Sequence, residues 1–153
     1  MEDGESRLKQ FIKENNIKAE HMRFQESLHS VQQLLRVTGL PLELITKTMI
    51  FKGEKTVAAM IPAAFHVSVS RLSQTVGFDV ELANAKQAYE LTGYPIGGMP
   101  CFINALLVVD PKVFEKEFVY TGGGSEFSIV KIATAEILKL NPIVARITGK
   151  KSN

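Results

Sequence analysis

Tryptophan is absent from this chain, cysteine occurs once and histidine three times. The single cysteine, Cys101, excludes an internal disulfide framework and argues against a cysteine-based metal cluster. His21, His29 and His66 form neither an H-x-x-x-H nor an H-E-x-x-H pattern, so no metal and no cofactor are expected. No serine stands in a G-x-S-x-G elbow. No apolar run approaches the ~20 residues that span a bilayer, and the opening MEDGESRLKQ has no signal-like apolar core. These absences point to the cytoplasm, with no membrane contact. An excess of one charge is missing too: 18 Lys and Arg against 16 Asp and Glu leave a formal +2. That balance permits contact with a nucleic acid without demanding it, and gives no reason to expect DNA binding. The basic stretch RITGKK, 146–151, reads as a soluble tail.

What is present is the material of one domain: 153 residues, 45% hydrophobic and 22% charged, enough for a real core. Leu8, Phe11 and Ile12 make one apolar stripe, which predicts a helix over 6–15. Residues 19–24 alternate weakly, as a strand does. Ser30 caps a second helix that Gly39 and Pro41 end. ITKTMIF, 45–51, and TVAAMI, 56–61, read as an antiparallel hairpin turning at Gly53-Glu54 and closed by Pro62. Helices follow over 68–76 and 84–92, the second capped by Asn84 and stopped by Gly93. Ala105 to Val109 is a buried strand running into Asp110-Pro111. Strands over 117–121 and 126–132 are joined by Gly122-Gly123-Gly124-Ser125. A short helix over 134–140, with Thr134 as its cap, breaks at Pro142, and 144–148 is a last strand. Tight turns between strands predict a mixed, largely antiparallel α/β domain, not a doubly wound parallel sheet.

Four features carry possible chemistry. Lys47 shares a strand face with Ile45, Met49 and Phe51, which sets an ammonium among apolar neighbours. Such a lysine serves catalysis or anion binding, unless the face is open to solvent or a carboxylate such as Glu43 pairs with it. In TGYPIGGMPCF, 92–102, Pro95 and Pro100 bracket Gly97-Gly98. That combination builds a rigid loop whose N–H groups approach a ligand closely, or a plain helix-to-strand connection. The run 122–125 lacks the Lys-Ser/Thr and following helix of a nucleotide loop, so a hairpin turn is the simpler reading. Cys101 has no histidine at a recognisable spacing to activate it. Asp79, Glu81 and Asp110 sit at turn or strand ends, and sequence alone does not pair them.

Taken in order, Lys47-Thr48 in TKTMIF, SRLSQTVGF, ELTGY, the Gly-Gly-x-Pro loop, LLVVDPKV and VYTGGGSEFSI resemble the YbaK family. These are aminoacyl-tRNA editing domains, also known as prolyl-tRNA synthetase-associated domains. The resemblance covers Ser30 to Ile147 and leaves 1–29 as an N-terminal helix and strand extension to a single domain, 1–153. It implies a curved, barrel-like sheet with surrounding helices. It also implies hydrolysis of the ester on mischarged tRNA, most often tRNA for proline carrying a small wrong amino acid such as alanine or cysteine. With no synthetase attached, action in trans is implied. The partners would be the acceptor end of the aminoacyl-tRNA and prolyl-tRNA synthetase. The family's strand lysine matches Lys47, beside Thr48, and its loop, whose usual form resembles GGVPP, matches Gly97, Gly98, Met99, Pro100 and Cys101. The last proline of that pattern is Cys101 here. The family's later glycine loop corresponds to Gly122, Gly123 and Gly124. The resemblance thus assigns Lys47, Gly97 and Gly98 to catalysis and the remaining loop residues, with Thr48, to substrate binding. A tRNA- or synthetase-binding module of the same fold, without turnover, is the alternative.

Overall fold

A computed structural model describes residues 3–151. Its helices begin where short polar side chains accept otherwise orphaned N–H groups. Asp3 accepts Ser6 N at 2.7 Å to start α1 (Gly4–Glu14). Ser30 starts α2 (Val31–Thr38) and Ser68 starts α3 (Val69–Val76). Asn84 and Gln87 form a reciprocal capping box on α4 (Ala85–Thr92). The last helix, α5 (Thr134–Ile137), is a single turn extended by a 3₁₀ turn over Leu138–Leu140. Thr134 is not its cap. The Thr134 hydroxyl donates to Lys116 O at 2.7 Å and ties the helix to the preceding connection.

Among the described residues ten strands are arranged in three sheets. In chain order they are β1 (Ala19–Arg23), β2 (Thr46–Gly53), β3 (Val57–Pro62), β4 (Phe65–Val67) and β5 (Val80–Leu82), then β6 (Leu106–Val109), β7 (Phe118–Gly122), β8 (Ser128–Ala133), β9 (Ile143–Val144) and β10 (Thr148–Lys151). The largest sheet has the order β5-β2-β3-β6-β9, a second is β1-β8-β7, and β4 pairs with β10. The expected hairpin is β2-β3, in register from Thr46↔Pro62 to Phe51↔Val57. Among the described strand pairs only β3-β6 and β6-β9 are parallel, so the sheets are largely antiparallel. Among the described residues no sheet closes on itself. The first two sheets instead meet along β2 and β7 at one parallel bridge, Ile45–Tyr120. Strand β1, from the N-terminal segment, is the outer strand of the second sheet.

The β2-β3-β6 layer is apolar on both faces, as a central layer must be. Ala58, Met60, Leu107 and Val109 face a core with Leu8, Met99, Phe102 and Ile132. Val57, Ala59, Ile61 and Val108 face a second core with Leu72 and Ile147. The strand expected over 144–148 is two strands, separated at Ala145–Ile147. The reason is Asp110, which is fully buried and accepts Ile147 N at 2.9 Å and Thr148 N at 3.1 Å. Its carboxylate draws the chain away from β6 and across to β4. Strands β4 and β5, three residues each, carried no sequence period to reveal them.

Burial alone would raise the Asp110 pKa, but hydrogen bonds from Lys112 N and Ile147 N and the Lys112 charge outweigh it and leave it lowered. A depressed carboxylate stabilises the fold above its ordinary pKa, and the contribution is lost as pH falls through the folded value. Asp110→Asn is therefore expected to flatten the loss of stability below about pH 5, read by urea unfolding at stepped pH. An acid limb of unchanged slope would contradict this account.

Candidate active site

The site begins where β2 loses its neighbour. At its start β2 touches β7, where the Thr46 hydroxyl donates to Tyr120 O at 2.8 Å. At its end it pairs with β5, from Phe51↔Leu82 to Gly53↔Val80. Between these points the edge of β2 is open. Ile45 O bonds Ala63 N on the β3 side, whereas Ile50 O bonds Ala83 N on the other. Strand alternation then turns the N–H and C=O of Thr48 toward the open side. A pocket of about 370 Å³ occupies the gap. Its walls are Thr46–Ile50, the start of α2 through Val31 and Leu34, Ile96, Gly97 and Met99 of the proline–glycine loop, and Tyr120, Thr121 and Gly122 of β7.

Lys47 is half-buried at this pocket, and burial pushes its pKa down. The pairing with Glu43 does not occur: among the described residues no carboxylate lies within ion-pair distance of Lys47. No aspartate or glutamate lines the pocket, so Lys47 is its dominant charge. Two wall residues carry buried hydroxyls without a hydrogen-bond partner, Thr48 Oγ1 and Thr121 Oγ1. The Cys101 thiol lies near enough to Thr121 to influence its own ionisation, but makes no hydrogen bond of normal geometry with it. An unpaired buried hydroxyl costs roughly 1–3 kcal/mol, and these two stand just behind the wall of one cavity.

The two glycine loops meet backbone to backbone. Gly124 N donates to Gly98 O at 2.9 Å. A Cβ on Gly98 would lie 2.2 Å from Ser125 O, and one on Gly122 would lie 2.2 Å from Met99 O. Gly98 N–H is spent on Pro95 O at 3.0 Å, closing the 3₁₀ turn Ile96–Gly98. Behind the second loop, the His21 Nε2–H donates to Gly123 O at 2.9 Å, and Ser125 Oγ donates to Glu5 Oε2 at 2.7 Å.

The structure thus brings Lys47, Thr48, Gly97, Met99 and Gly122 to one pocket. Gly98, Gly123 and Gly124 are not on its wall: Gly98 and Gly124 join the loops, Gly124 also packs on Gly4, and Gly123 packs on Ser128 of β8. Pro100 and Cys101 lie buried beneath the loop and not on the wall. Burial pushes the Cys101 thiol up to about 12, which keeps it protonated and unsuited to nucleophilic attack. Sequence reasoning missed Thr121, Tyr120 and the first turn of α2. Only the position of Thr121 next to the glycine run pointed to it.

Residues 25–140 match the family described as aminoacyl-tRNA editing domain. The chain belongs to that family. Deacylation of aminoacyl-tRNA is accordingly its activity class. The uncharacterized protein YwhH of Bacillus subtilis (strain 168) is 29% identical over 136 residues, 84% of this chain and 82% of its own length. A proline–tRNA ligase of Desulfovibrio desulfuricans is 37% identical over 71 residues, which are 45% of this chain and 12% of the ligase. Among solved structures, hypothetical protein APE2540 superposes with a TM-score of 0.86 at 26% identity, over 93% of this chain and 99% of the other. A candidate trans-editing enzyme for prolyl tRNA synthetase superposes with a TM-score of 0.85 over 98% of this chain and 99% of its own, and at 19% identity it speaks for the fold alone. In this editing domain α1 and β1 precede the matched residues, yet they buttress the second glycine loop through Glu5 and His21. No helix among the described residues is long and apolar enough to cross a membrane.

Proposed function

We propose that this editing domain acts in trans on tRNA for proline carrying a small wrong amino acid, alanine or cysteine. The observation that carries the reading is the pocket at the β2–β7 opening: one desolvated cation, two unpaired hydroxyls, no carboxylate. The likeness to part of a proline–tRNA ligase supports the choice of tRNA. The volume, about 370 Å³, is at the low end of ligand pockets, roughly 300–1,000 Å³. It suits an aminoacyl ester with its ribose and leaves little room for a large side chain.

The ester needs no side-chain nucleophile. Water attacks the carbonyl carbon, the C–O bond to the ribose breaks, and the proton from water ends on the ribose oxygen. A ribose hydroxyl of the substrate orients that water. The transition state gathers charge on the carbonyl oxygen. Lys47, with the N–H groups of Thr48 and Gly97, supplies a fixed positive environment for it. Gly98 acts through Gly97, by holding the turn. Thr48 Oγ1 and Thr121 Oγ1 accept from the substrate's α-amino group. With Lys47 nearby and no carboxylate on the wall, that group is held as the neutral amine.

The test is a panel of tRNA for proline charged with alanine, cysteine, serine or proline, followed for ester loss. Selective loss of the alanyl or cysteinyl ester, with prolyl-tRNA intact, is expected. Tight tRNA binding with no turnover on any substrate would favour the binding-module reading, in which Cys101 in place of the family's proline is the first position to question. The hydroxyl pair makes a separate prediction. Replacing both Thr48 and Thr121 with valine removes two unpaired polar groups at nearly constant volume, so the melting temperature is expected to rise. The same change is expected to raise KM about tenfold, as two hydrogen bonds to substrate are lost. A lower melting temperature would show that the hydroxyls are satisfied in the free protein.

A further inference from the structure

We propose that a second cleft, between the first turn of α1 and the end of α4, seats the single-stranded 3′ end of the tRNA, with a phosphate on Arg7 and a base on Tyr89. The proposal rests on the deacylase reading, since it gives a place to the nucleotides that precede the one bearing the ester.

The cleft is walled by Arg7, Tyr89, Gly93, Pro95 and Gly124, together with Asp3. Arg7 is fixed before any ligand arrives. Its Nη2 donates to Gly93 O, and its guanidinium lies 4.7 Å from the centre of the Tyr94 ring. Its Nε is buried and has no hydrogen-bond partner. Among the described residues no carboxylate lies within ion-pair distance of Arg7. Asp3, the one acid in the cleft, is committed to Ser6 N at the start of α1. The charge of a guanidinium held in place attracts a phosphate, and much of its ordering cost has already been met by the fold. Tyr89 is 56% exposed, an aromatic face left to solvent on the same cleft. Exposed aromatics beside a cation are the stacking platforms of single-stranded nucleic acid sites.

Placement joins this cleft to the first pocket. Pro95 immediately precedes Ile96 and Gly97, which wall the pocket. Gly124 lies two residues beyond Gly122, also on that wall, and its N–H donates to Gly98 O. The two glycine loops are therefore a partition shared by both cavities. A strand whose terminal ester sits on one side crosses that partition and meets Arg7 and Tyr89 on the other. Arg7 lies outside the residues matched by the family, so family membership does not assign this site.

The experiment uses the full chain with two variants, Arg7→Gln and Tyr89→Ala, and three readouts. Binding of a fluorescent single-stranded RNA ending in CCA is expected to weaken about fivefold or more in each. The salt slope is expected to fall by about one for Arg7→Gln only. kcat/KM on charged tRNA should fall by the same factor, while kcat/KM on 3′-aminoacyl-adenosine stays unchanged. Unchanged RNA binding in both variants would overturn the proposal, as would equal losses on both substrates, which would mark Arg7 as packing for Tyr94. Tyr89 is exposed, so its variant decides the matter even if Arg7→Gln fails to fold. Should the unmodified chain hydrolyse neither substrate, the deacylase reading fails by itself, and the RNA-binding arm still decides the cleft.

Discussion

Lys47→Ala is expected to slow ester hydrolysis by about 10²–10³, the usual cost of losing one preorganised group at a developing oxyanion. The expectation follows from isolation. No carboxylate pairs with Lys47, and no other full charge faces the pocket from the strands. Its field is thus unspent until substrate arrives. The energetic sign points the same way. Burial lowers its pKa from the ordinary 10.5. A folded lysine with a lowered pKa binds fewer protons than the unfolded chain as pH rises through that window, so stability increases with pH there. At neutral pH the charged lysine is instead a burden on the fold. Lys47→Met, which keeps the stem and discards the charge, is expected to leave the melting temperature unchanged or higher while showing the same rate loss. Single-turnover deacylation and thermal unfolding on the same preparations check both halves. A Met variant that keeps its rate would mean that Lys47 only packs the strand.

Much of the fold was legible because local chemistry and tertiary structure agree. Ser30 and Asn84 announce helices, and each side chain accepts the expected N–H. The β2-β3 hairpin is readable from its β-branched runs and forms in the expected place. What could not be read depends on contacts distant in sequence. Thr134 looks like a cap, but the carbonyl of Lys116 takes its hydroxyl instead. The last strand divides because Asp110 reaches 37 and 38 residues ahead. The site divides along the same line. Lys47 stood out by strand alternation alone, whereas Thr121 depends on β7 lying beside β2, which no local pattern encodes. The loop glycines were recognised as a group, but their separate duties emerge only from the packing of one loop on the other. Gly97 faces the pocket, Gly122 both faces it and packs on Met99, Gly98 and Gly124 join the loops, and Gly123 packs on Ser128.

That division of labour predicts the largest loss of stability. Gly122→Ala places a Cβ 2.2 Å from Met99 O and 2.7 Å from Gly98 C. Gly98→Ala places one 2.2 Å from Ser125 O and 2.5 Å from Ser125 N. All four atoms are backbone, so no rotamer change relieves the clash and one loop must move. Overpacking of this kind costs about 1–3 kcal/mol, which lowers the melting temperature by roughly 2–12 °C in a chain of this size. Gly149→Ala is the control, since its nearest contact would be 4.0 Å away. Activity should fall further than stability does, because separating the loops moves Gly97 from its place on the pocket wall. The double variant distinguishes joint packing from two local strains. If one partition is being pried open, the first alanine does most of the work, and the second adds less than its separate cost. Costs that simply add would mean the loops tolerate insertion independently. The Gly97 N–H would then not depend on Gly122 for its position.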